Sequence, residues 1–137
     1  MGFLYAILII NMQKRDLEKL SRLRGALRDA LKELETTLEA AFERSALVKG
    51  NVYELARKCG KPSCLCADGQ LHRSMVLSWS HQGKTQLRTI SPEKLDRVRA
   101  SSEHYLRYRR ARARVTEIHQ QILKLFDQIE KLRREKP

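Results

Sequence analysis

Three cysteines and a histidine fall within fourteen residues: Cys59, Cys64, Cys66 and His72, in the run Arg57-Lys58-Cys59-Gly60-Lys61-Pro62-Ser63-Cys64-Leu65-Cys66-Ala67-Asp68-Gly69-Gln70-Leu71-His72. Thiolate sulfur and imidazole nitrogen are the donors zinc takes in a tetrahedron, and four protein donors leave no open position for a reacting water. The set therefore reads as a structural Zn2+ site. Gly60 lets the backbone turn tightly behind the first sulfur, and Asp68-Gly69 supplies the turn that returns the chain toward the metal. The identity of the fourth ligand stays open at this point. His72 suits the role, and so do Asp68, His81 or a group from a partner. Without a metal, the same residues are three reduced thiols in a tight loop beside a polar strand residue. An odd, clustered set is a poor disulfide framework, which points to a reducing compartment such as the cytoplasm.

A second set of residues has chemistry by charge. Arg107, Arg109, Arg110 and Arg114 lie in a run from Arg99 to Arg114 where Glu103 is the single acid, and Tyr105 and Tyr108 are interleaved. Arg57, Lys58, Lys61, Arg73, Lys84 and Arg88 surround the cysteines and the segment after them. Cations in such number suit phosphate binding, while base reading needs particular side chains that charge alone does not specify. Ion pairing with Glu33, Glu35, Glu39 and Glu43 of the first helix is the competing use of Arg107, Arg112 and Arg114. The spacing puts Arg109 and Arg110 on the outer face.

These residues need elements to hold them. From 12 to 49 the pattern is helical, with Leu17, Leu20, Leu27, Leu31, Leu34, Leu38, Ala41 and Ser45 at heptad steps and Arg24 as the one break. Gly50 is placed to end that helix. Residues 50–90 shift toward a period of two. Val52 to Arg57 predicts one strand, Met75, Leu77 and Trp79 predict the buried face of a second, and Thr85 to Ile90 the return strand after a turn at His81-Gln82-Gly83-Lys84. Ser91-Pro92-Glu93 is a helix start, with a capping hydroxyl, a proline at the first position and an acid at the positive end of the dipole. That helix can continue to Lys136, with Tyr108, Ala111, Val115, Ile118, Ile122, Leu125, Ile129 and Leu132 as its stripe. The expected fold is α+β, mainly α: two long helices in an antiparallel coiled coil, with a small three-stranded antiparallel, zinc-knuckle-like module at the tip. The segments are 1–11, an apolar extension upstream of a translation start expected at Met12; 12–49, helix one; 50–90, the β module; and 91–137, helix two.

The segment Lys58 to His72, followed by the Trp79 strand, Gly83-Lys84 and an Arg-rich helix, resembles an uncharacterised family of short prokaryotic proteins. That family carries a Cys-Gly-Lys-Pro-x-Cys-x-Cys motif with a following Gly and His. The resemblance covers roughly residues 50 to 135. In the family the histidine is usually followed by Gly-Pro and an aromatic residue; here Arg73-Ser74-Met75 follow His72. The resemblance implies the architecture and a setting beside transposase-type genes, and it implies no activity.

The chain has 137 residues and a formal charge of +12. Residues 12–49 hold nine cations against seven acids, residues 50–90 six against two, and residues 91–137 thirteen against seven. The excess is thus concentrated away from helix one, and it makes a polyanion the expected partner. No apolar stretch approaches the roughly 20 residues of a membrane span. Glu54 and Asp68 are the only acids in the module, too few for the carboxylate cluster of metal-dependent nuclease chemistry, so no catalysis is expected. The reading is a zinc-stabilised nucleic-acid-binding accessory protein, for DNA before RNA, working with a mobile element or a transposase-like protein. The alternative is a coiled-coil adaptor that forms a homo-oligomer or binds an acidic protein.

Overall fold

The computed structural model describes residues 13–135. The expected extension 1–11 and the helix residue Lys136 lie outside these. The order is helix α1 (Lys14–Phe42), strand β1 (Asn51–Arg57), a short 3-10 turn (Leu65–Asp68), strands β2 (His72–His81) and β3 (Lys84–Thr89), and helix α2 (Pro92–Arg133). Two helices and one three-stranded antiparallel sheet make the chain α+β and mainly helical. Residues 43–110 form one compact unit, and 13–42 with 111–135 another, so α2 contributes to both.

In the sheet unit the strand order is β1-β2-β3. β2 and β3 are joined by Gln82 and Gly83, with φ of 49° and 73°. Two successive positive φ values are the geometry of a two-residue hairpin loop, matched to the twist of the strands it joins. β1 pairs with β2 from Asn51↔Ser78 to Arg57↔His72. Gly50, which the sequence places at the end of the first helix, instead stands at the start of β1. Its φ is +134°, and an added Cβ would lie 2.5 Å from the Ser78 carbonyl oxygen. It is there for close backbone approach. The row Met75, Leu77 and Trp79 is half-buried, while Val76, expected to face outward, is only 2% exposed. Residues on both faces of β2 are thus covered, which an alternation rule for one-sided strands misses.

The first helix stops at Phe42, seven residues before the expected end at Lys49. The Val48 N–H, which a continued helix would aim at its own preceding turn, donates to the Ser101 carbonyl at 3.0 Å. A tertiary bond has replaced a helical one, and Ser102 Oγ donates to the Gly50 carbonyl at 2.6 Å beside it. α2 begins as expected, with Lys94 N–H donating to Ser91 O at 3.0 Å.

α2 keeps the expected stripe from Ala111 onward, whereas Tyr108, expected to begin it, is exposed. Ile118 is fully buried, Leu125 is buried, and Ala111, Val115, Ile122, Ile129 and Leu132 are half-buried. The stripe of α1 is rotated from expectation. Leu20, Leu27 and Leu34 face inward as expected, but Leu23, Ala30 and Thr37 join them in place of Arg24, Leu31 and Leu38. Leu17, Leu31 and Leu38 are exposed, Ala41 is exposed, and Ser45 lies beyond the helix. The physical reason is Arg24. The expected phase buries its guanidinium, whereas the observed one buries Leu23 in its place, and an unpaired buried charge is far more costly than an exposed leucine.

Candidate metal centre

The cysteine loop is tied at both ends by the sheet, since Arg57 at the end of β1 pairs with His72 at the start of β2. Cys59 follows β1 by one residue, and Gly60 turns the chain at φ +82°. The Cys64 N–H donates to Lys61 O at 3.2 Å, and the Ala67 N–H donates to Cys64 O at 3.0 Å. Cys64 thus caps the 3-10 turn that carries Cys66. Gly69 closes this turn in the left-handed conformation at φ +105°, and its N–H reaches back to Cys66 O and Leu65 O. The strand then delivers His72.

This path brings the four side chains together. One donor atom from each of Cys59, Cys64, Cys66 and His72 lies within 4.8 Å of all the others. Cys59 Sγ and Cys66 Sγ are 3.4 Å apart, and Cys64 Sγ and His72 Nε2 are 3.2 Å apart. Tetrahedral zinc has ligand-to-ligand edges of about 3.5 to 3.8 Å, so small side-chain shifts from this arrangement would suit it. All three cysteines are free thiols. Asp68 and His81, the other candidates for a fourth ligand, are not in the cluster.

The electrostatics of the sulfurs follow from the loop. The Lys61 backbone N–H, then the Cys66 and His72 side chains, pull the Cys59 thiol down to about 6. At Cys66 the Cys59 N–H, 3.3 Å from the sulfur, favours the thiolate. Burial and the neighbouring thiols outweigh it and push this group up. A divalent cation at the centre would resolve the conflict, because it favours the thiolate form of every sulfur around it. Four protein donors with a buried Cys66 suit a closed, structural site, where a metal would hold β1, the turn and β2 together.

The basic residues divide into two groups. Arg73 bonds Glu54 at 3.1 Å, Arg107 lies 3.8 Å from Glu43, and Arg114 holds Glu33 at 2.6 Å and Glu117 at 2.7 Å. Arg112, expected to pair, forms no ion pair among the described residues. Nor do Arg57, Lys58, Lys61, Lys84, Arg88, Arg109 and Arg110, and all of these are exposed. Arg88 sits 6.0 Å from the centre of the Trp79 ring. Sequence spacing did not reveal a hollow of about 300 Å³ lined by Lys49, Gly50, Asn51, Ser78, Trp79, Ser80, Thr85, Tyr105 and Leu106. Its walls come from separate segments, and no motif signals such a convergence. No described helix is long and apolar enough to cross a membrane.

No curated protein and no solved structure matches this chain. A family model does match, over α1, the whole sheet with its cysteine loop, and the first turns of α2. By that match over residues 17–100, the chain belongs to the family described as Domain of unknown function (DUF6788).

Proposed function

We propose that this chain is a non-enzymatic, zinc-stabilised accessory protein that binds nucleic acid. The observation that carries the reading is the group of exposed cations left without carboxylate partners among the described residues. Arg57, Lys58, Lys61, Lys84 and Arg88 belong to the sheet unit, and Arg109 and Arg110 to the stretch of α2 that ends it. Zinc in the Cys59, Cys64, Cys66 and His72 cluster would act as a brace in a zinc-knuckle-like module. A small sheet buries too little apolar surface to hold a long irregular loop, and metal binding supplies folding free energy directly. The two helices would form an antiparallel coiled coil. DNA is expected as the partner before RNA, and the family resemblance of the cysteine motif suggests work beside a transposase-like protein. The test is a titration of untagged protein against DNA and RNA at two salt concentrations, with and without chelator. Binding that falls steeply with salt supports the reading, because phosphate contacts release counterions. Affinity unchanged by salt, or no binding at low salt, overturns it.

A second reading, a coiled-coil adaptor that self-associates, is favoured by the exposed leucines. In the phase set by the buried residues, Leu17, Leu31 and Leu38 share the e position of α1. Phe126 takes the e position of α2, with Leu123 one turn away. Glu33 and Arg114, which pair, both take g. The e and g positions flank opposite edges of a helical seam. One edge is thus ion-paired, and the other carries these apolar side chains between Arg24, Arg112, His119 and Arg133, with Leu31 51% and Phe126 59% exposed. The occupant suited to such an edge is a second copy. Light scattering tests it: a dimer that Leu31→Glu with Phe126→Glu returns to monomer, with no nucleic-acid shift, favours this reading over the first.

A further inference from the structure

We propose that the hollow beside Trp79 is a slot for an unpaired nucleobase, so that the preferred partner is single-stranded nucleic acid. This inference deepens the nucleic-acid reading above and rests on it. The sequence favours Trp79 as a core residue, in phase with Met75 and Leu77. In the structure this single tryptophan is half-buried and lines an open hollow instead. Tyr105, also half-buried, and Leu106 line the same space from α2. Two aromatic residues and a leucine around about 300 Å³ leave room for a nucleoside-sized ligand.

The polar groups fit a base more closely than a purely apolar ligand. Asn51, Ser78, Ser80 and Thr85 line the space, and none of their side chains makes a side-chain hydrogen bond among the described residues. An amide and three hydroxyls can both donate and accept, as the edge of an unpaired base requires. The charges fit the attached phosphates. Lys49 lines the hollow, no acid does, and Arg88 lies against the Trp79 ring. Arg109 stands one helical turn beyond Tyr105, and Arg110 one turn beyond Leu106, on the same side of α2. Both are exposed and without ion pairs among the described residues. Stacking on aromatic rings within a basic surface is how single strands are held without sequence preference. A duplex cannot use such a slot, because its bases are already stacked and paired.

The single tryptophan supplies the test. Trp79 emission of the full-length, zinc-loaded protein is titrated with oligo(dT), oligo(rU), a DNA duplex of equal length, and the mononucleotide dTMP. Quenching by the single strands but not by the duplex is expected. Trp79→Ala should weaken single-strand binding about tenfold and leave duplex binding unchanged, while Trp79→Phe keeps most of the affinity. Thr85→Tyr changes an exposed strand residue and fills the hollow without touching the core, so it should abolish the single-strand preference in a folded protein. Equal affinity for single strand and duplex with unchanged emission overturns the slot and leaves phosphate binding standing. Saturation by dTMP as tight as by the oligomers also overturns it, in favour of a free nucleotide. No binding to any nucleic acid at low salt overturns both readings.

Discussion

At Cys66, burial and charge act against each other. The sulfur is 1% exposed and receives the Cys59 N–H, a donor that suits a thiolate, yet burial and two neighbouring thiols favour the neutral thiol. A bound cation removes the conflict. Cys66→Ser should therefore lower bound zinc from one equivalent to a small fraction, and lower the melting temperature of the sheet unit, with chelator reproducing both effects on the parent protein. Metal analysis and thermal melts of untagged protein check this; wild-type protein with far less than one zinc, and melting indifferent to chelator, would show that the cluster is not a metal site. At Glu33 the direction is simpler. The bond from Arg114 holds its carboxyl below the ordinary range. A lowered folded pKa means stabilisation that is present above the unfolded value and lost as pH falls through the lowered one. Glu33→Gln should thus melt slightly below the parent at neutral pH, with the difference vanishing in acid. A difference that persists in acid would point to packing rather than charge.

At the scale of elements, two glycines predict opposite outcomes. Gly25 lies inside α1 with open space where an added Cβ would stand, so Gly25→Ala should stabilise by about 0.5–1 kcal/mol through helix propensity. Gly50 has a positive φ and a strand carbonyl 2.5 Å from any Cβ, so Gly50→Ala should cost about 2 kcal/mol or more. Denaturant melts measure both, and equal effects at the two sites would refute this assignment of roles. The same elements show what was legible. The α2 stripe from Ala111 to Leu132 follows directly from heptad spacing, because apolar residues occupy every seam position. The α1 stripe does not, because Leu20, Leu27 and Leu34 are shared by two phases and only the cost of burying Arg24 separates them. The end of α1 was not legible either: Val48 leaves the helix for Ser101, more than fifty residues later in the chain.

At the scale of the molecule, the +12 charge resolves into paired and unpaired cations. Arg114 is held by two carboxylates, while Arg109 and Arg110 have none among the described residues. Replacing both Arg109 and Arg110 with Ala should weaken nucleic-acid binding and lower the slope of log affinity against log salt by about two. Arg114→Ala should change that slope much less. Titrations across a salt series check this, and equal effects of the two variants would place the interface elsewhere.

The sequence by itself determined the three cysteine donors of the candidate metal site, the α+β class, the turn within His81–Lys84, the start of α2 and its buried stripe from Ala111 onward. Each depends on residues close in the chain, where spacing and local geometry suffice. Tertiary structure alone decided that His72 rather than Asp68 or His81 joins the three cysteines, because pairing of Arg57 with His72 closes that loop. It also decided which arginines meet carboxylates, which way α1 faces, and that Trp79 borders an open hollow. Those outcomes depend on distant segments meeting, and on which burial costs less once they do.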